Sequence, residues 1–198
     1  MATIRLDNLN PEDRQEIRKK TSKSILWVAM GTIAMLFSGF LSAYIVRQEE
    51  GQWMEFALPT EFFYSTVILL VSSVTMWWAT NSAKHNRYGG IKWGLLATLV
   101  LGIAFSVTQY IAWGTLYDQT IVFAGSQSNA AGSYLYVITA IHLVHLFGGI
   151  LSLIYTFAQS LRRKYHSENK LGLELCAIYW HFLDVLWVIL FLFLYNVR

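Results

Sequence analysis

The chain has 198 residues and a net charge of +3, and it is 55% apolar, 16% aromatic and only 14% charged. Soluble domains carry about 25% charged residues, so the deficit excludes an ordinary water-soluble fold and points to lipid. The single cysteine, Cys176, excludes an internal disulfide and a CxxC metal knot.

The first 24 residues mix Arg5, Arg14, Arg18, Lys19, Lys20 and Lys23 with Asp7, Glu12, Asp13 and Glu16. They are too long and too acidic for the n-region of a cleaved signal. The apolar run Ile25–Val46 is therefore expected to be a retained signal-anchor helix, with residues 1–24 as a cytoplasmic tail. Arg47–Glu61, containing Pro59, separates it from Phe62–Thr80, where Ser65, Ser72, Ser73 and Thr75 form a small-residue stripe. The loop Asn81–Lys92, with Gly89-Gly90, leads to Trp93–Leu116, which carries Gln109. The small and polar Tyr117–Ser133 precedes Tyr134–Phe157, with His142, His145, Gly148 and Gly149. The charged Ala158–Glu174 precedes Leu175–Tyr195, with His181 and Asp184.

Each apolar run has at least 19 residues, enough at about 1.5 Å per residue to cross a hydrocarbon core of roughly 30 Å. The expected fold is all-α: a polytopic bundle of five transmembrane helices filling residues 25–198. Lys and Arg number six in the tail, three in Asn81–Lys92 and four in Ala158–Glu174, whereas the other side has only Arg47 and Arg198. This bias predicts a cytoplasmic N-terminus and a C-terminus on the opposite side. It also accounts for the basic residues without nucleic acid as a partner. The five runs differ in length and polar content, so no internal repeat suggests a two-fold transporter.

Ionisable groups inside a bilayer cost about 2.5–3.5 kcal/mol each near its centre, so each needs a partner or a task. The i, i+3 spacing puts His142 and His145 on one face, and likewise His181 and Asp184. Antiparallel neighbours with midpoints near Leu146 and Val185 would bring His145 and Asp184 to the same depth, where a hydrogen-bonded pair would satisfy both. Gln109 falls at the depth of His142, which predicts a second interhelical contact there. Gly148-Gly149 and the hydroxyl stripe offer surfaces for close helix approach. These residues allow a metal or haem site, a proton relay, or a polar network that sets helix register; the last is favoured, because such groups most often act as interhelical glue.

The segment Tyr179-Trp180-His181-Phe182-Leu183-Asp184-Val185-Leu186-Trp187 resembles the last-helix signature of cytochrome c oxidase subunit III. Ala34-Met-Leu-Phe-Ser-Gly39 with Ser42-Ala-Tyr44 and Arg47, Phe63-Tyr-Ser-Thr66 with Ser72-Ser73-Val-Thr75, Gly102-x-x-Phe105-x-x-x-Gln109-x-x-x-Trp113, and Thr139-x-x-His142-x-x-His145-x-x-Gly148 are similar to that family's other helices, in the same order. Two positions depart from its pattern. Ile33 and Ala112 stand where the family usually has glutamates.

The resemblance implies a subunit that binds no haem or copper itself, those lying in partner subunits. It would flank catalytic subunit I, with subunit II and a small subunit IV as further partners, bind structural phospholipid, and support proton uptake and durable turnover. Gln109, His142, His145, His181 and Asp184 would serve packing, with no catalytic or metal-ligating residue. Arg47, Lys92, Arg162 and Arg163 are candidates for lipid headgroups. Five spans instead of the mitochondrial seven suggest a bacterial, inner-membrane form. The electron donor, a cytochrome or a quinol, stays open. The accessory subunit of a nitric oxide reductase and an independent proton-linked carrier using His145 and Asp184 are the alternatives.

Overall fold

With no water in the hydrocarbon core, backbone N–H and C=O groups must be satisfied within the chain, and long apolar runs do so as helices. The computed structural model describes residues 10–49, 58–121, 123, 129–162, 165 and 170–197. Among these the chain is all-helical with no strand. The elements are α1 (Pro11–Glu49), α2 (Glu61–Lys84), α3 (Tyr88–Asp118), α4 (Ala130–Leu161) and α5 (Leu171–Asn196). All five are long and apolar enough to cross a membrane.

Every helix outruns the apolar stretch that announces it. Apolar composition marks only the part of a helix in hydrocarbon, while the hydrogen-bond ladder continues into the polar interface. The expected loop Asn81–Lys92 shrinks to residues 85–87, where the Arg87 N–H donates to the Ser82 carbonyl at 2.9 Å and Asn86 takes φ 54°. Asparagine tolerates that left-handed turn. With 39 residues, α1 begins at Pro11 and is about 58 Å long, nearly twice a hydrocarbon core. Its first turns, bearing Glu12, Asp13, Arg14, Glu16, Arg18, Lys19 and Lys20, therefore stand outside the core.

Helices α2, α3, α4 and α5 form a ring, each packed on the next and α5 closing on α2. Outside it, α1 rests on α4 and α5. Met30, Phe37 and Tyr44 are its buried apolar residues, with Ile33, Phe40 and Leu41 packed partly against the core. A spacing of seven is the repeat of a left-handed helix seam. Tyr44 meets the rings of Tyr134 and Phe193 at centroid distances of 6.0 and 5.3 Å. At the cytoplasmic-expected end Lys23 pairs with Glu174 at 3.2 Å. Tyr165 is buried there, and burial pushes its phenol above its ordinary pKa.

Close approaches fix the ring. A Cβ at Gly94 would stand 2.8 Å from Ala79 Cβ and 3.0 Å from Ala79 Cα, so α2 and α3 touch almost backbone to side chain. The Trp180 indole fills the space above Gly102 and Gly149: a Cβ at Gly102 would meet its ring at 2.6 Å, and one at Gly149 would lie 3.1 Å from Leu183. Gly148, by contrast, has only the Tyr179 hydroxyl, at 3.9 Å. Gly149 alone of the expected glycine pair admits a close neighbour.

Candidate functional site

The polar side chains inside the bundle are organised by α2. Ser65 and Thr66 return their hydroxyl protons to the Phe62 carbonyl at 2.9 and 2.7 Å, and Ser72 does the same to Leu69 at 2.7 Å. This leaves oxygen lone pairs to accept from neighbouring helices. Ser65 accepts from Gln109 Nε2 at 2.7 Å, Thr66 from Trp187 Nε1 at 3.0 Å, and Ser72 from Trp180 Nε1 at 3.1 Å. Ser73 Oγ lies 2.7 Å from His181 Nδ1, and Thr75 Oγ1 lies 2.8 Å from Thr98 Oγ1. The expected small-residue stripe is thus a ladder of hydroxyls that binds α3 on one side and α5 on the other.

The contact expected of Gln109 is made, but with Ser65 of α2 rather than at His142; Gln109 Oε1 stays without a hydrogen-bond partner. His142 is fully buried, and neither ring nitrogen is hydrogen-bonded. Aromatic rings enclose it. Phe37 and Phe105 approach edge-on at 6.3 and 6.0 Å, and Trp187 lies 5.0 Å away, tilted by 39°. Phe105 also meets Trp187 at 4.9 Å in a T-shaped pair. Phe37 and Phe105 sit inside the motifs quoted above, yet nothing in their spacing tells that they converge on one imidazole.

The pair expected between His145 and Asp184 does not form. His145 Nδ1 lies 2.8 Å from the Ile141 carbonyl of its own helix, so that nitrogen carries the proton. The His145 ring stands 5.8 Å from Phe37 of α1. Asp184 instead turns toward α2: its polar neighbours are His181 Nδ1, 3.9 Å from Oδ2, and the Ser73 hydroxyl. Neither carboxylate oxygen has a hydrogen-bond partner. Rotation about the helix axis sends the two side chains to different neighbours. The i, i+3 readings fare better, since both His142 and His145 meet Phe37 and His181 lies beside Asp184.

Among the described residues no three His, Cys, Asp or Glu side chains gather to hold a metal ion. The departures Ile33 and Ala112 fit apolar surroundings, Ile33 packed partly against the core and Ala112 buried within α3. Of the headgroup candidates, Arg47 is exposed in the last turn of α1, Lys92 is half-buried in α3 and Arg162 is exposed just beyond α4. Arg163 lies outside the described residues.

These helices, in this order, match the family model of cytochrome c oxidase subunit III over residues 26–197. The chain belongs to the cytochrome c oxidase subunit III family. Similar relatives include subunit 3 of Thermostichus vulcanus, 29% identical over 82% of this chain and 80% of that protein, and subunit 3 of Corynebacterium diphtheriae, 27% identical over 86% and 88%. Subunit 3 of Drosophila yakuba is 32% identical over 66% of this chain and 48% of its own length. Family membership and five membrane-capable helices together make this a multi-pass membrane protein of an oxidase complex. Within that family the aromatic box and the hydroxyl ladder are this chain's means of holding the shared helices together.

Proposed function

We propose that the chain is the non-catalytic subunit III of a respiratory haem-copper oxidase that reduces O2 to water. It stabilises the catalytic subunit I beside subunit II, with a small subunit IV as a further neighbour, and binds phospholipid. The observation that carries this reading is the match to the subunit III family over residues 26–197, and the interior supports it: Ser65, Thr66 and Ser72 tie α2 to α3 and α5, and aromatic rings enclose His142. Haem and copper belong, in this reading, to the partner subunits. The loop charge supports an N-terminus on the cytoplasmic face of a bacterial inner membrane, with Arg47, Lys92, Arg162 and Arg163 at lipid phosphates.

The half-buried His145 offers an independent proton carrier little, because its Nδ1 is engaged with its own helix and Asp184 faces elsewhere. The test is affinity purification of the tagged chain in mild detergent. A haem-copper catalytic subunit with oxidase activity should co-purify, and the chain alone should show no Soret band and no stoichiometric copper. Recovery of a nitric oxide reductase in its place, or haem on the isolated chain, would overturn the proposal.

A further inference from the structure

α5 is hemmed in by α1, α2 and α4 and opens outward along one stripe that includes Val185 and Ile189. On α2 the residues Val67, Leu70 and Val74 are exposed at spacings of three and four, a second stripe. The two adjoin, since Phe63 of α2 meets the Phe191 ring at 6.5 Å and Ser73 meets His181. In the middle of this apolar face sits a polar cluster. The His181 side chain is 37% exposed, and the buried Asp184 carboxylate lies 3.9 Å behind it. His181, Asp184 and Ser73 all fall near the midpoints of their helices, hence at mid-membrane depth.

Acyl chains offer neither donor nor acceptor, and an ionisable side chain open to them at this depth is disfavoured. Ser73 takes Nδ1 of His181, which leaves Nε2 as the atom for an outside partner. Half-exposed His145 differs, because it is served by its own helix and faced by Phe37 of α1. We infer that the α2–α5 face seats a transmembrane helix of another oxidase subunit, one that presents a hydrogen-bonding side chain to His181 at mid-depth. Stripes at spacings of three and four suit left-handed packing of such a helix. A second copy of this chain fits poorly, since two-fold contact at mid-depth would set imidazole against imidazole and carboxylate near carboxylate. The inference rests on the reading of the chain as a subunit of an oxidase complex.

The test uses the intact complex in native membranes, with a photo-crosslinking amino acid placed singly at Val74, Val185 or, as a control on the outer face of α1, Met35. Val74 and Val185 should give adducts with another oxidase chain. The Val185 adduct should fall at least tenfold in a His181→Phe background and return in His181→Gln, with the tagged chain present in the membrane at equal amounts. Adducts only with lipid or with a second copy, while oxidase subunits still co-purify, would overturn the surface assignment and leave the functional reading standing. Adducts indifferent to His181→Phe would overturn the role of the imidazole. Failure of any oxidase subunit to co-purify would overturn both.

Discussion

Gly94→Ala should destabilise the bundle, whereas Gly114→Ala on the same helix should not. Each replaces a glycine within α3, so each gains a similar helix-propensity benefit of about 1 kcal/mol, and the comparison cancels it. What differs is the space. At Gly94 the new methyl arrives 2.8 Å from Ala79 Cβ, 3.0 Å from its Cα and 3.1 Å from its nitrogen; at Gly114 nothing lies within 4 Å. Backbone atoms cannot rotate aside, so α2 and α3 must separate. Overpacking of this kind costs about 1–3 kcal/mol, and the Thr75–Thr98 bond, 2.8 Å long, would stretch at a further loss of about 0.6 kcal/mol. The two variants should therefore differ by about 1.6–3.6 kcal/mol, roughly 15- to 400-fold in the unfolding equilibrium. Unfolding by titration with SDS from mild-detergent micelles, followed by circular dichroism, measures the difference. Equal stabilities, or a Gly94→Ala protein more stable than Gly114→Ala, would refute the close α2–α3 contact.

Ser65→Ala strands the buried Gln109 amide and should cost about 1–3 kcal/mol, part of which Gln109→Leu should restore; the same unfolding assay checks it, and a double variant no better than the single contradicts the ladder. His142→Leu should be neutral or stabilising by up to about 3 kcal/mol, because an imidazole with no partner is exchanged for an apolar side chain of similar size. A clear loss of stability in that variant would show that His142 has a partner the aromatic box does not supply. A double-mutant cycle between His145 and Asp184 should give a coupling below about 0.5 kcal/mol, as for independent sites, and one between His181 and Asp184 a larger value. The reverse ranking would restore the pairing inferred from depth.

The apolar runs determine that there are five membrane helices and where each crosses hydrocarbon, because burial in lipid depends on composition averaged over about twenty residues. The Trp-His-Phe-Leu-Asp segment and its companions, in order, determine the family. Individual spacings give which residues share a helix face, as with His181 and Asp184. Contacts between helices are another matter. They depend on rotation about each axis and on how near two axes come, and neither is written in a run of one-dimensional positions. That is why His145 turns to Ile141 and Phe37 while Asp184 turns to α2, and why Gln109 finds Ser65. The glycine against which α2 and α3 close is Gly94, since a methyl there would have no room; no periodicity singles it out from Gly114, where a methyl would meet nothing. Only the packed bundle decides which polar atoms are satisfied, because satisfaction needs donor and acceptor within about 3 Å, a tolerance much finer than one helical turn.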